Sequence, residues 1–153
     1  MILQLILYPG SPKRCIVKFS TKTRYGLRAM IELANDTTGE GVYQKDIAKK
    51  QEISIKYLDQ IIHSLKVAGL ITTVKGKKSG YILTRKPSEI TIYDIQRAFE
   101  YDICVIDCMS KDYHCDRQDN CTAQGFWKGL NHVVREYFQK NTLEDLKDEN
   151  LFD

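Results

Sequence analysis

The order of predicted elements between residues 20 and 83 constrains the fold of this chain most. Ser20 and the threonines after it precede a helical pattern that ends near Asn35–Gly39, and a short second helix follows over Lys45–Lys50. Ser54 begins a third helix that extends to about Ala68. Its apolar residues recur at intervals of three and four, which is typical of an amphipathic helix. They are Tyr57, Leu58, Ile61, Ile62, Leu65 and Ala68.

A basic β-hairpin is predicted directly after the third helix, which Gly69 ends. Leu70–Val74 is rich in β-branched residues, Tyr81–Leu83 supplies the return strand, and Lys75–Gly80 forms the turn. Helix, short helix, turn, long helix and basic hairpin is the order of a winged helix-turn-helix. The sequence therefore predicts a mainly α fold with a small β-hairpin wing, of class α+β. A helical bundle that merely carries a hairpin is the alternative.

The start of the third helix is where a helix-turn-helix protein meets base edges in the major groove. The candidate base-contacting residues are Ser54, Lys56, Tyr57, Asp59 and Gln60. Asp59 is suited to accept from the amino group of cytosine. The wing lysines are expected to neutralise phosphates or to enter the minor groove. They are Lys75, Lys77 and Lys78.

Charge is divided unevenly along the 153 residues. Residues 1–86 hold 16 lysines and arginines against 6 acidic residues, whereas residues 87–153 hold 7 against 14. A basic half joined to an acidic half favours a nucleic-acid-binding module attached to a second region. No nucleophile–base pair and no phosphate-binding loop is evident, so the sequence does not predict an enzyme.

Four of the five cysteines lie within one polar, acidic segment, which is predicted to be a loop. They are Cys104, Cys108, Cys115 and Cys121, and His114 lies beside Cys115. Cysteines in such a setting suggest thiolates that act as ligands or redox groups. Structural disulfides, zinc and an iron–sulfur cluster are the alternatives. The gaps of three, six and five residues fit zinc ribbons poorly, but spacing alone does not choose between zinc and a cluster.

Two helices are predicted on either side of this loop. The first covers Thr91–Tyr101, and the second extends from Thr122 to about Lys140 with many aromatic residues. The long helix has too little core of its own to cover its apolar stripe, so packing against a second copy in a homodimer is expected. The residues expected at that interface are Phe126, Leu130, Val133, Val134 and Tyr137. Packing back on the first helix is the alternative.

The predicted organisation has four parts. Residues 1–16 are an extension broken by two prolines and a glycine, and Val17 is a possible true start. Residues 17–86 form the DNA-binding domain, residues 87–146 the cysteine-loop sensor and dimerisation region, and residues 147–153 a tail. No apolar run is long enough for a transmembrane helix, and no signal peptide is evident, so a cytoplasmic protein without membrane contact is expected.

Four stretches resemble one family of bacterial regulators. Residues 18–30 (KFSTKTRYGLRAM), 53–61 (ISIKYLDQI) and 75–81 (KGKKSGY) match its first helix, recognition helix and glycine-rich wing. Cys108, Cys115 and Cys121, with Phe126-Trp127 downstream, match its sensor segment. The chain thus resembles, over residues 17 to about 146, the Rrf-type winged-helix transcriptional regulators. These include the iron–sulfur biogenesis regulator IscR, the nitric-oxide sensor NsrR and the cysteine-metabolism repressor CymR.

The resemblance implies a dimeric, DNA-binding regulator whose three cysteines ligate an iron–sulfur cluster, 2Fe–2S rather than 4Fe–4S. Two positions depart from the family pattern. Gln124 stands where the biogenesis regulator has a histidine ligand, and Arg24 stands where the nitric-oxide sensor has an acidic residue. The fourth ligand is therefore open, with His114 and Cys104 as local candidates and a side chain of the partner subunit as the further alternative. CymR-like members lack the cysteine triplet, and a zinc- or thiol-based redox switch without a cluster is the alternative function.

Overall fold

The computed structural model describes residues 19–74, 80–110 and 113–147. These residues form five α-helices and one two-stranded antiparallel hairpin, so the predicted mainly α class with a small β wing is confirmed. In chain order the elements are α1 (Thr21–Ala34), α2 (Gln44–Lys50), α3 (Ile55–Val67), β1 (Ile71–Thr73), β2 (Tyr81–Leu83), α4 (Ile92–Arg97) and α5 (Gln124–Lys140). Short 3-10 turns occur at Pro87–Glu89, Asp107–Met109 and Gln118–Asn120.

The hydroxyl residues predicted to begin the first and third helices do so. The hydroxyl of Ser20 accepts a hydrogen bond from the backbone N–H of Thr23 (3.1 Å), and that of Ser54 accepts one from Tyr57 (3.3 Å). Each bond satisfies an N–H group that has no partner within the helix. Gly69, with a φ of +70°, ends the turn after α3, in the left-handed region that glycine adopts without strain.

The hairpin is fixed against the segment that precedes α2. Its register pairs Ile71 with Leu83 and Thr73 with Tyr81. A further bridge joins Tyr81 to Val42. This approach needs glycine, because a Cβ atom on Gly80 would lie only 2.7 Å from the backbone carbon of Gly41. The predicted basic turn, with its three wing lysines, lies outside the described residues, apart from Gly80.

The fourth and fifth helices are shorter than predicted. α4 ends at Arg97 instead of Tyr101, because the N–H groups of Ala98 and Phe99 bond to carbonyls only three residues back. This tighter turn brings Glu100 onto the start of α1, and Tyr101 is left 93% exposed. α5 begins at Gln124, two residues after the predicted start.

One hydrophobic core joins the DNA-binding and sensor segments. The buried residues of α1 and α3 include Met30, Leu33, Leu58 and Leu65. The same cluster contains four residues of the later segment: Ile90, Ile92, Ile95 and Leu143. Each such side chain stabilises the fold by about 1.5–3 kcal/mol when it leaves water. The two segments therefore share one core.

α4 packs closely on α1, and α5 packs on α4 and on Phe19, just before α1. A Cβ atom on Gly26 would lie 2.2 Å from the ring of Phe99, so a side chain there would force the two helices apart. The ring of Phe138, near the end of α5, stacks on Phe19 at 5.0 Å between centroids. The end of α5 thus packs on its own chain, beside α1. Within the described part of the chain, no helix is both long and apolar enough to cross a membrane.

Candidate nucleic-acid interface and cysteine site

The exposed side of α3 carries most of the predicted base-contacting residues. Ser54, Lys56, Asp59 and Gln60 are exposed, whereas Tyr57 is half-buried. The opposite side of the helix, with Leu58, Ile61, Ile62 and Leu65, lies in the core. The amphipathic pattern therefore leaves the polar side of this helix free to enter a groove.

Tyr57 and its neighbours brace the helix-turn-helix. The ring of Tyr57 meets that of Tyr25 edge to face, with centroids 5.9 Å apart. The guanidinium of Arg28 lies 5.2 Å from the centre of the Tyr25 ring and donates to the backbone oxygen of Gln51 (3.1 Å). Tyr57 therefore serves in part to hold α3 against α1, as its place among the apolar residues of the third helix indicates.

Gln44 is a polar residue of this face that the sequence did not single out. It is the first residue of α2, and its side-chain amide donates to a carboxylate oxygen of Asp59 on α3. Hydrophobic periodicity identifies buried residues only, so it gives no signal for a pairing between two polar residues fifteen positions apart.

The base of the wing is attached to the end of α3. The ammonium group of Lys66 donates to the Thr73 hydroxyl (3.3 Å) and lies 5.9 Å from the centre of the Tyr81 ring. The N–H of Val74 donates to the carbonyl of Gly80 (2.9 Å) and closes the hairpin. The two ends of the turn that holds Lys75, Lys77 and Lys78 thus lie beside α3.

Three of the four loop cysteines line a single cavity at the start of α5. It is formed by Cys108, Cys115 and Cys121 together with Met109, Gln118, Gln124 and Trp127. All three thiols are half-buried and unbridged. Cys108 lies within the 3-10 turn at Asp107–Met109, which contacts α5, and Cys121 directly follows the turn at Gln118–Asn120. The structure therefore brings the triplet together.

The two candidates for a fourth ligand lie elsewhere. Cys104 lines a separate, wider concavity with Arg97, Asp107, Arg135 and their neighbours. The protein around the exposed Cys104 still shields its sulfur enough to raise the thiol pKa, and the charge of Asp102 adds to this. A raised pKa keeps the thiol protonated and makes it a weak nucleophile.

His114 projects into solvent and does not line the cysteine cavity. Its side chain is 87% exposed and lies 3.7 Å from a carboxylate oxygen of Asp116, which is fully exposed. Gln124 does line the cavity. Its side-chain N–H donates to the backbone oxygen of Gln118 (3.0 Å), and its side-chain oxygen accepts from Lys128 (3.1 Å).

The cysteine loop is anchored at its start. Ile103 and Val105 are buried, and the N–H of Val105 donates to the side-chain oxygen of Asn131 on α5 (3.0 Å). Arg135, one turn further along α5, forms a 2.6 Å ion pair with Asp102. These contacts hold the first residues of the loop, Cys104 among them, on α5, and the three cavity cysteines lie in the segment beyond.

Three thiols are the strongest metal ligands among the residues that line the cavity. Over residues 19–74, 80–110 and 113–147, no three His, Cys, Asp or Glu side chains converge closely enough to hold one metal ion. An iron–sulfur cluster differs, because its cysteine ligands are distributed over several iron atoms. Three free thiols around one cavity, with the apolar Met109 and Trp127 beside them, fit such a group.

The predicted dimer residues occupy one side of α5, and several of them are exposed. Phe126 is 67% exposed, Val133 60% and Tyr137 50%, whereas Leu130 and Val134 are half-buried. α5 thus carries a row of large apolar side chains that this chain alone leaves partly exposed.

The helix-turn-helix with its attached wing defines a DNA-binding protein of the winged-helix class. The model of the Rrf2 family, described as iron-dependent transcriptional regulator, matches residues 19–149. This chain belongs to the Rrf2 family. It is a DNA-binding transcriptional regulator and not an enzyme.

The relatives of this chain include proteins named CymR and proteins named IscR. The transcriptional regulator CymR of Bacillus subtilis is 37% identical over 131 residues, which cover 85% of this chain and 89% of that protein. The solved structure of CymR, the global cysteine regulator of B. subtilis, matches with a TM-score of 0.71 at 34% identity, over 87% of this chain and 98% of that one. T. potens IscR matches with a TM-score of 0.69 at 32% identity, over 88% of each chain.

Proposed function

We propose that this regulator is a homodimer whose sequence-specific DNA binding is controlled by an iron–sulfur cluster on Cys108, Cys115 and Cys121. The observation that carries the proposal is the shared cavity of these three thiols, from which Cys104 and His114 are absent. A set of thiols that only filled space would be buried in the core, as free cysteines usually are. These three instead lie half-buried around a cavity in an acidic loop.

The residues around the cavity would hold the cluster and shield it. The three cysteines would bind iron as thiolates, so loading would release their protons and depend on pH. Trp127 and Met109 would limit the access of water. The bound cluster would supply a redox centre that responds to iron supply, oxidants or nitric oxide.

Gln124 is the side chain of this chain best placed for the fourth position. It lines the same cavity as the triplet, whereas the other two local candidates do not. Its amide oxygen is a hard and weak ligand beside thiolates, so that position would be the most easily exchanged. A 2Fe–2S cluster remains the expected type.

The loop provides a route from the cluster to the DNA-binding face. Its first residues are held on α5 through Val105 and Asp102. The end of α4, directly before the loop, is bonded to the start of α1 through Glu100. Loss of the cluster would free the part of the loop that follows these anchors and leads into α5. A change in the position of α4 or α5 would alter the distance between the two recognition helices of a dimer, which sets half-site spacing.

The dimer would form through the exposed apolar side of α5. In this proposal residues 17–86 read DNA and residues 87–146 hold the cluster and the partner. Each half-site would be contacted by Ser54, Lys56, Tyr57, Asp59 and Gln60, with the wing lysines on phosphate. The opposite charge of the two segments supports this division, because the acidic segment would be kept away from DNA.

Iron and sulfide analysis of anaerobically purified variants tests the cluster. Alanine at Cys108, Cys115 or Cys121 should each remove the visible absorption and most of the bound iron and sulfide. Cys104→Ala is the matched control, since it removes a thiol of the same loop that lies outside the cavity; it should retain its cluster. Full iron and sulfide occupancy in the triple cysteine variant would overturn the proposal.

A zinc- or thiol-based switch is the second candidate function. The similarity to CymR, the global cysteine regulator, favours it, as do four unbridged thiols in one loop. A colourless anaerobic preparation with bound zinc would support the zinc form. A metal-free protein whose DNA binding is lost on oxidation and restored by a reducing agent would support the thiol form.

A further inference from the structure

Gln44 contacts the recognition helix at two points. Its side-chain Nε2 donates to Oδ1 of Asp59 at 2.5 Å and lies 3.4 Å from the backbone oxygen of Ile55. Ile55 is the first residue of α3, and Asp59 lies one turn further along the helix. A single amide group therefore joins the start of α2 to the first two turns of α3.

This contact restricts the carboxylate of Asp59. An exposed aspartate normally exchanges between several side-chain rotamers. A hydrogen bond to an ionised acceptor is stronger than a neutral one, so the bond from Gln44 favours the single rotamer that allows it. Oδ1 is occupied by Gln44, and Oδ2 has no hydrogen-bond partner among the residues that the structure describes. One carboxylate oxygen is thus held in place and the other is available to accept.

We propose that Gln44 is a positioning residue for base recognition, which holds Asp59 so that its free oxygen accepts from a cytosine amino group. The inference rests on the base-reading role of Asp59 in the proposed function. A carboxylate discriminates between bases because its charge is left without a hydrogen-bond donor when the wrong base faces it, and this lowers the affinity. The penalty is lost if the carboxylate can rotate to another partner. Gln44 holds Asp59 in one rotamer and so prevents this rotation.

Pre-positioning also lowers the entropic cost of binding. A side chain that is already ordered in the free protein has less rotamer freedom to lose on the DNA. The effect is nevertheless larger on discrimination than on affinity, since phosphate contacts supply most of the affinity. Gln44 needs no contact with DNA to act in this way, and this distinguishes it from a second base-reading residue.

The test is a comparison of base preference between variants of the full chain. An operator is first selected from random DNA with anaerobic wild-type protein, and affinity is then measured for every single-base change in one half-site. Asp59→Ala should flatten the preference at one base pair. Gln44→Ala should flatten it at the same base pair by about tenfold, within the range for one good base contact. The double variant should show no further loss.

Two further variants separate positioning from simple misfolding. Gln44→Met keeps the approximate length of the side chain, is a good helix former and removes the donor without adding a charge beside Asp59. It should fold and should lose the same discrimination. Gln139→Ala makes the same chemical change as Gln44→Ala on the exposed side of α5, and it should leave base preference unchanged. Thermal unfolding and iron content should match wild type in every variant compared.

Three results would overturn the proposal. Undiminished preference at the Asp59 base pair in Gln44→Ala would show that Asp59 needs no support. A loss at a different base pair, additive with Asp59→Ala, would show that Gln44 reads a base itself. Unchanged preference in Asp59→Ala would remove the base-reading role of Asp59, and the positioning role with it. Failure of the cluster proposal gives a separate result, namely a protein without iron or sulfide whose base preferences still depend on both residues.

Discussion

The carboxylate of Glu100 accepts a hydrogen bond from the hydroxyl of Thr23 at 2.5 Å and another from the backbone N–H of Ser20 at 2.9 Å. Glu100 follows α4 and directly precedes the cysteine loop, whereas Ser20 and Thr23 begin α1 of the DNA-binding segment. The Glu100 side chain therefore binds the first turn of α1 and holds the start of the cysteine loop beside it.

The same contacts make stability depend on pH. Burial by itself would raise the pKa of Glu100, but the hydrogen bonds from Thr23 and Ser20 outweigh burial and lower it. A lowered pKa in the folded state gives stability that is present above the unfolded pKa of about 4.3 and is lost as pH falls through the folded value. Glu100→Gln should therefore be less stable than wild type by about 1–2 kcal/mol at pH 7.

Chemical unfolding between pH 7 and pH 3 measures this effect. The difference between Glu100→Gln and wild type should shrink as the pH falls below about 4.3 and through the lower pKa of folded Glu100, because the carboxyl then becomes neutral like the Gln amide. Glu40→Gln is the control, since Glu40 is exposed. If the Glu100→Gln difference stays constant over the whole range, the charged hydrogen bonds do not exist in solution.

Val133 lies 60% exposed in the middle of the apolar side of α5. Val133→Asp should weaken the dimer at least about 100-fold, because an unpaired charge at a buried interface costs about 3–5 kcal/mol. Gln139→Asp introduces the same charge on a different side of the helix and should leave the dimer intact. Sedimentation at micromolar concentration measures both, and a monomeric wild-type protein would contradict the predicted interface.

The wing lysines should contribute to the salt dependence of DNA binding. Replacing Lys75, Lys77 and Lys78 together by alanine should lower the slope of log affinity against log salt by about three units per subunit, and so by about six for the dimer, one for each phosphate that is no longer neutralised. The control is the alanine triple at Lys128, Lys140 and Lys147, which removes the same charge from the acidic segment. Equal slopes in the two triple variants would show that the wing does not touch the DNA.

Gln124 should affect how long the cluster survives. Gln124→Ala should retain iron and sulfide when purified anaerobically but lose its visible absorption several-fold faster in air, because the fourth position is then open to solvent. Gln124→His supplies the imidazole that the resemblance implies at this position, and it should slow the loss below that of wild type. Identical decay in wild type, Gln124→Ala and Gln124→His would exclude the residue from the site.

Much of the fold followed from local patterns. Ser20 and Ser54 were expected to begin helices and do so, since a capping bond spans only three residues. The recognition helix buries Leu58, Ile61 and Leu65, because a helical period places them on one side whatever surrounds it. The end of α4 was predicted wrongly: the chain tightens at Ala98 and Phe99, and Glu100 then bonds to Ser20 and Thr23, about eighty residues away, a contact that no local pattern records.

The sequence by itself determined the winged helix-turn-helix, its basic charge and the presence of a cysteine triplet, because each depends on residues that are close along the chain. The tertiary structure decided which groups meet. It placed Gln124 with the triplet, put Cys104 and His114 elsewhere, and brought Gln44 to Asp59. The periodicity of the sequence does not predict such contacts, because they depend on how packed helices and a folded loop bring distant residues together.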